Sequence, residues 1–426
     1  MMRSVHRLAR SLSAVVLVAG CGPQNARIPV SGEVAGKLLH TTVDQDVARY
    51  YVESFLAGKS GDAALDQALS RLGERYRTRL PSEDELAALS RTYSVDFATL
   101  FFAHELSRQL ASRRFEANLA AAERLIQTPR GLRAPWRDYA VLLTPAWLYE
   151  DKPETGANLL LPQRALEQAG VHTTRVASIQ DGTVEENAQI IAAAIRRAGK
   201  TAEPLVLISV SKASAETALA LTLLDAAERR HVKAWINIGG AFCGTPLADV
   251  AFSFPNVVAT YPLFWSHGWD IASIETLRPA VRASGCKTLA APPGVFVLNY
   301  VGAPLAADLT ELGESGYVRL ADRGPNDGVV LTRDAVVPGA TTVVALGLDH
   351  YLNYPDMDRR VVAVYEAIVM LLEDLRPGCR RASPEVALSL SGSAVPRRQV
   401  SLPTPAQVLR HLTVPGSDRL ALPYVE

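Results

Sequence analysis

Leu205-Val206-Leu207-Ile208-Ser209-Val210-Ser211-Lys212-Ala213 is an apolar run that ends in small residues, and a helical pattern over Ala213–Arg229 follows directly. A strand that is apolar throughout is covered on both faces, as in a parallel sheet. Five more short apolar segments accompany it: Tyr139–Leu143, Thr174–Ile179, Lys233–Ile238, Val295–Val301 and Val343–Leu348. Helical patterns such as Glu185–Ala198 lie between them, and a last helix runs over Val361–Leu375. The alternation predicts an α/β fold with a doubly wound, mostly parallel sheet across residues 136–375.

A strand that turns abruptly into a helix holds one residue strained at the top of the sheet, between small residues two before and two after it. Ser209 and Ala213 meet that need, although the usual glycines are absent. Ser211 then stands either as a nucleophile with a helix N-terminus behind it or as a polar cap in a binding domain. A serine hydroxyl needs a base to be nucleophilic at neutral pH. Of the eight histidines, His350 alone directly follows a late apolar strand and lies beyond a plausible acid. That acid is Asp327, in an Asn-Asp-Gly turn, with Asp308 as the alternative.

With these residues in place the chain resembles the α/β-hydrolase superfamily, particularly bacterial triacylglycerol lipases and esterases. Gly239-Gly240-Ala241-Phe242-Cys243-Gly244-Thr245-Pro246-Leu247-Ala248-Asp249 is similar to the lipase stretch after the next strand. Asn326-Asp327-Gly328-Val329-Val330 is similar to the segment with the catalytic acid, and Asp349-His350 to the segment with the catalytic histidine. The resemblance covers about residues 136–375 and implies an α/β-hydrolase fold with serine-hydrolase chemistry on an ester. It further implies an oxyanion donor at the Lys212 amide, with the lysine side chain expected to face solvent. A second donor is expected from Thr144-Pro145-Ala146-Trp147, where related lipases have His-Gly. Pro145 has no amide hydrogen, which leaves Ala146 or Trp147. Calcium-dependent relatives carry an aspartate where this chain has Leu352, so no metal is expected, and no cofactor.

Phe252, Phe254, Tyr261, Phe264, Trp265 and Trp269 crowd one short segment of a chain with 7% aromatics. Such density marks a local core or an apolar lid. Its place after the Gly-Thr-Pro-Leu segment, where lipases insert lids, favours a lid over residues 250–290 whose aromatics bind substrate. Cys243 and Cys286 bracket the insertion and could pair in an oxidising compartment, leaving Cys379 unpaired.

Upstream, Arg3, Arg7 and Arg10 precede the apolar run Ala14–Ala19, which leads into Gly20-Cys21. This is the order of a secretory signal, and it also resembles a bacterial lipobox whose cysteine is lipidated. Residues 1–20 are therefore read as a lipoprotein signal peptide and 21–41 as a polar tether. The expected location is the bacterial cell envelope, with Gly22 favouring the outer membrane. Residues 42–130 read as an all-helical region, with a capping box at Ser82 and Glu85 and one long helix over about Asp96–Gln127. Residues 376–426 hold seven prolines and seven arginines and read as an extended tail. Two short motifs are set aside. His104-Glu105-Leu106-Ser107-Arg108 lacks the second histidine of a helical zinc site, and Ser209 with Lys212 lacks the partner motifs of penicillin-binding enzymes.

Composition closes off other classes. The 426 residues are 48% hydrophobic and 21% charged, which excludes wholesale disorder. Four cysteines are too few for a disulfide scaffold. Lys+Arg and Asp+Glu each number 44, and this net charge of zero argues against nucleic acid as the main partner. The zero joins a basic leader and a basic tail to an acidic body, and the tail could meet anionic lipid head groups. The leading expectation is a membrane-anchored serine hydrolase acting on acyl esters. A non-catalytic binding or scaffolding lipoprotein and an acyltransferase use the same residues.

Overall fold

The computed structural model describes residues 27–127, 138–201, 203–352 and 356–375. Cys21, the leader and the tail 376–426 lie outside the described residues. The chain enters as an antiparallel hairpin, β1 (Ile28–Val34) and β2 (Lys37–Val43), and not as the polar tether expected up to residue 41. Ala35 and Gly36 both take positive φ, 56° and 76°, as a tight two-residue hairpin turn requires. Val30, Val34, Leu39 and Val43 share the buried face. Gly32 fits a close approach, because a Cβ there would stand 2.6 Å from a Val52 methyl and one of the two would have to shift.

Five helices follow: α1 (Asp46–Tyr50), which continues as a π-helical turn over Tyr51–Phe55, α2 (Ala63–Arg75), α3 (Glu83–Thr92), α4 (Val95–Ser107) and α5 (Leu110–Ile126). The expected capping box opens α3, with Ser82 and Glu85 bonded reciprocally. The single long helix expected over Asp96–Gln127 is two helices. Gln109 leaves helical geometry at ψ 137°, which ends the helical run between the two. Helix α4 is apolar almost all round and correspondingly buried almost all round.

The central sheet comprises β3 (Ala140–Thr144), β4 (Thr173–Arg175), β5 (Leu205–Val210), β6 (Val232–Ile238), β7 (Phe296–Ala303) and β8 (Thr341–Leu346). All five pairings are parallel, in the order β4-β3-β5-β6-β7-β8. Leu205, Val206, Leu207 and Ile208 are buried, each worth roughly 1.5–3 kcal/mol of apolar burial. The chain passes from β3 to β4 on one side and then to β5 on the other. The order therefore reverses between β3 and β5, and the carboxyl ends of these two strands flank the crevice where open α/β sheets bind ligands.

Helices between and after the strands are α6 (Leu160–Gln168), α7 (Val184–Ala198), α8 (Lys212–Thr222), α9 (Ala226–Arg229), α10 (Pro246–Phe252), α11 (Val257–His267), α12 (Ala272–Glu275), α13 (Pro279–Thr288), α14 (Glu311–Leu320) and α15 (Met357–Asp374). Alternate strand residues point to opposite layers. Leu205 and Leu207 join the layer of α7 and α8, while Val206 and Ile208 join the layer of α5, α6 and α15.

The N-terminal region closes the β8 edge of the sheet. Ser112 of α5 accepts the Thr342 amide at 3.1 Å, and the Lys37 ammonium reaches the Val344 carbonyl. Burial lowers the Lys37 pKa, opposed by Glu116 at 3.1 Å. Backbone groups that would otherwise stand open along an edge strand are thus bonded. Asp96 of α4 fastens the same region to the late loops, accepting from the Asp44 and Ala306 amides and from the Tyr317 hydroxyl.

Candidate active site

Between β5 and α8 the chain reverses within one residue. Ser211 adopts φ 54° and ψ −126°, a conformation that costs a side-chain-bearing residue roughly 1–3 kcal/mol. Three backbone bonds hold it there: its amide donates to Ile238 O at 2.8 Å, and its carbonyl accepts from Ser214 at 3.0 Å and Ala241 at 3.2 Å. The small residues on either side, Ser209 and Ala213, are fully buried. Serine serves where glycine was expected because its hydroxyl is bonded, accepting from the Trp235 indole at 2.8 Å and meeting Ser214 Oγ at 3.0 Å.

Lys212 corrects one expectation. Its side chain is 1% exposed, not solvent-facing. The ammonium donates to the Gly182 carbonyl at 2.6 Å and pairs with Glu216, which also accepts from Asn187 at 2.9 Å. Burial raises the Glu216 pKa, and the nearby ammonium pulls it back. Lys212→Met strands that carboxylate in the interior, and a loss of about 3–5 kcal/mol is expected in denaturant unfolding. A loss below ~1 kcal/mol, the range of a surface pair, would contradict this.

The candidate acid and base meet as expected. His350 Nδ1 lies 2.7 Å from Asp327 Oδ2. The other carboxylate oxygen accepts the Val329 and Val330 amides at 3.0 and 2.8 Å, and the His350 amide donates to the Asp327 carbonyl at 2.8 Å. The Asn-Asp-Gly turn thus presents one carboxylate oxygen to the imidazole and fixes the other. Gly239 is a site residue that the sequence reading missed. A Cβ there would stand 3.3 Å from His350 Nδ1 and 3.4 Å from Asp327 Oδ2, and its φ is 52°. The double glycine after β6 was the available signal.

Burial works to lower the His350 pKa, but the Asp327 carboxylate with its hydrogen bond, and the Asp349 charge beside them, outweigh it, and the net shift is upward. A general base must be neutral. The acid limb of the kcat/KM profile is therefore expected above the ordinary imidazole value of ~6.5, activity falling as pH falls through it. A limb at or below that value would contradict the Asp327 contact.

Asp308, the alternative acid, is occupied elsewhere: it accepts Thr41 Oγ1 at 2.6 Å and the Leu305 amide at 3.3 Å. Of the two oxyanion candidates after β3, Ala146 is corrected, since its amide donates to Ala157 O at 3.0 Å. Among the described residues, the Trp147 and Lys212 amides make no hydrogen bond. Trp147 is held by its indole, which donates to Ser273 Oγ at 3.0 Å and packs on Phe264 and Trp269 at 6.0 and 6.4 Å.

Ser211, His350 and Trp147 lie on the wall of one cavity of 710 Å³. No hydrogen bond joins Ser211 to His350, and such contacts commonly tighten only with substrate bound. The expected aromatic lining is corrected. Phe252, Phe254, Tyr261, Phe264, Trp265 and Trp269 take no part in the wall. Phe254 and Trp265 point into solvent at 84% and 86% exposure, and Phe264 and Trp269 buttress Trp147 from behind. The segment expected to form the insertion is helical, carrying α10 to α13, and the Cys243–Cys286 disulfide joins the turn before α10 to α13.

A parallel sheet, a strained serine between strand and helix, and an Asp–His pair from later loops complete the arrangement. The fold is an α/β-hydrolase fold. No family model matches the chain, and no curated protein matches it. Among solved structures it is similar to a metagenomic carboxyl esterase, at 20% identity and TM-score 0.45, over 57% of this chain and 77% of the esterase. It is similar to a Bacillus licheniformis lipase in mature form, at 20% identity and TM-score 0.41, over 50% of this chain and 84% of the lipase. A phospholipase from Legionella pneumophila matches at 13% identity and TM-score 0.33, over 46% of each chain. At such distances the roles of individual residues rest on the geometry of this site alone.

Proposed function

We propose that the protein is a serine hydrolase that cleaves carboxylic esters through an acyl-enzyme. The observation that carries this reading is Ser211, strained at the carboxyl end of β5 and opening on the same cavity as the Asp327-held His350. Ser211 Oγ attacks the ester carbonyl carbon while His350 Nε2 takes the hydroxyl proton. The Lys212 and Trp147 amides hold the negative oxygen of the tetrahedral intermediate. Collapse breaks the carbon–oxygen bond to the alcohol, which leaves with the proton from His350. Water then repeats the sequence on the acyl-enzyme and releases the acid. Asp327 fixes the tautomer with the proton on Nδ1 and stabilises the imidazolium. We place the enzyme at the bacterial envelope, anchored through a lipidated Cys21, on the strength of the leader alone.

Rapid mixing with p-nitrophenyl acetate tests the covalent route. A burst of p-nitrophenolate stoichiometric with enzyme, followed by a slower steady rate, is the expected result when deacylation limits. Adding an alcohol then separates hydrolysis from acyl transfer by whether ester product appears. Absence of any release above the buffer rate from p-nitrophenyl esters of short and medium chain alike would overturn the enzymatic reading and favour a binding module.

A further inference from the structure

The cavity does not end at the strand tips. Every side chain that the sheet contributes to its wall comes from the face turned towards α6 and α15. The strand register sets these side chains in two rows. Val210, Ile238 and Tyr300 lie side by side at the upper level, and Ile208 and Ile236 pair at the level below. Val361 and Val364 of α15 form the opposite wall, with Leu160 and Leu161 where α6 begins. One level further down, Val206 and Ala234 are fully packed and outside the wall, and so is Leu298 beside Ile236. The part of the cavity between the two layers is therefore an apolar slot closed at the level of Val206 and Ala234, with Lys152, Glu154, Arg164 and Arg360 also on the cavity wall. It descends from Ser211 past Ile208, three residues of strand or about 10 Å.

We infer that this slot, and not the aromatic insertion, receives the acyl group of the ester, and that the preferred substrates are esters of straight-chain acids of medium length. The inference rests on the hydrolase reading of Ser211. A slot of this depth takes an extended chain of roughly eight carbons. Its wall offers β-branched and leucine side chains from both layers, so each methylene that enters exchanges water for hydrocarbon. Charged acyl groups find no polar partner at the lower row of Ile208 and Ile236, and the Tyr300 hydroxyl of the upper row is already bonded by Arg360 Nε at 3.0 Å. Val361 and Val364 set the width, and the packed level of Val206 and Ala234 sets the depth.

The test is a series of p-nitrophenyl esters from acetate to palmitate. Expected is a rise in kcat/KM of about fourfold for each added methylene up to about octanoate, the factor equivalent to ~0.8 kcal/mol per buried methylene, and no rise beyond it. Val361→Phe and Val364→Phe, which put a ring into the slot, are each expected to lower the octanoate-to-acetate ratio about tenfold or more. Phe254→Ser, in the insertion, is expected to keep the wild-type ratio. A flat series with acetate still cleaved overturns the slot and leaves the hydrolase reading standing. So does a ratio that moves with Phe254→Ser and not with the two valine variants. If no ester is cleaved, the hydrolase reading fails, and calorimetric titration of Ser211→Ala with octanoate then decides the slot by itself. Saturable binding that Val361→Phe removes from that chain supports it, and no binding overturns it.

Discussion

Ser211→Ala is expected to lower kcat for any cleaved ester by at least about four orders of magnitude, with the fold intact. Among the described residues Ser211 is the one serine on the cavity wall, and the two threonine hydroxyls there are engaged, Thr155 donating to Lys152 O and Thr310 to Asp349 Oδ2. Residual turnover would come from binding and the oxyanion amides. The companion variant Ser211→Gly is expected to be equally inactive and more stable by about 1 kcal/mol. Glycine adopts φ 54° without the strain that a Cβ brings there, less what its greater unfolded-state freedom takes back. Rates and denaturation midpoints of the two variants check both statements. An Ser211→Ala chain with more than a hundredth of the wild-type rate would remove Ser211 from the mechanism. A Ser211→Gly chain less stable than wild type would show that the turn is not strained.

Asp327→Asn is expected to lower kcat by about 10⁴ at neutral pH while leaving KM within a few-fold. The Val329 and Val330 amides hold one oxygen of the side chain, so an asparagine keeps its carbonyl there and turns its NH₂ towards His350 Nδ1. Nδ1 must then accept, and the ring proton moves to Nε2, the nitrogen that has to be free to take the Ser211 proton. The side chains keep their places and the tautomer is wrong. The loss should therefore appear in kcat, with an unchanged denaturation profile near neutrality. A loss below tenfold would reduce Asp327 to a loop-shaping residue.

Much of this was legible in the sequence where one physical signal decided the matter. Leu205–Ser209 could only be a strand buried on both faces, and the observed strand extends it by one residue to Val210. The Ser, Asp, His order needed only three punctuated loops after apolar runs, and these are what the structure brings to the cavity. The hairpin over Ile28–Val43 was hidden because Pro29 and Gly32 interrupt the apolar signal of its first strand, and because its Ala35-Gly36 turn lacks the usual Asn or Asp. Gly32 is there for a close approach to Val52, which no local pattern shows. The break at Gln109 carries neither proline nor glycine, so an uninterrupted helix was the natural reading of Asp96–Gln127.

The Lys212 side chain and the aromatic insertion were misread for a different reason. A lysine at the start of a helix is ordinarily solvated, and only Gly182 and Glu216, contributed from the α7 and α8 layer, make its burial possible. Aromatic density in one segment says that apolar surface will be placed somewhere. It does not say whether that surface faces a cavity, a neighbouring ring or water. Here Phe264 faces Trp147, Trp265 faces solvent, and the cavity takes its wall from the stretch 146–164 after β3 together with strand residues and α15, which are far apart in sequence.

The most direct measurement is labelling with a fluorophosphonate, which phosphonylates only a serine activated as Ser211 is proposed to be, followed by mass spectrometry of the peptides. The expected result is a single adduct on the Ser211 peptide of the wild-type protein, absent from Ser211→Ala and strongly slowed in His350→Ala. No adduct on the wild-type protein, or equal labelling of Ser211→Ala, would contradict the assignment of Ser211 as the nucleophile.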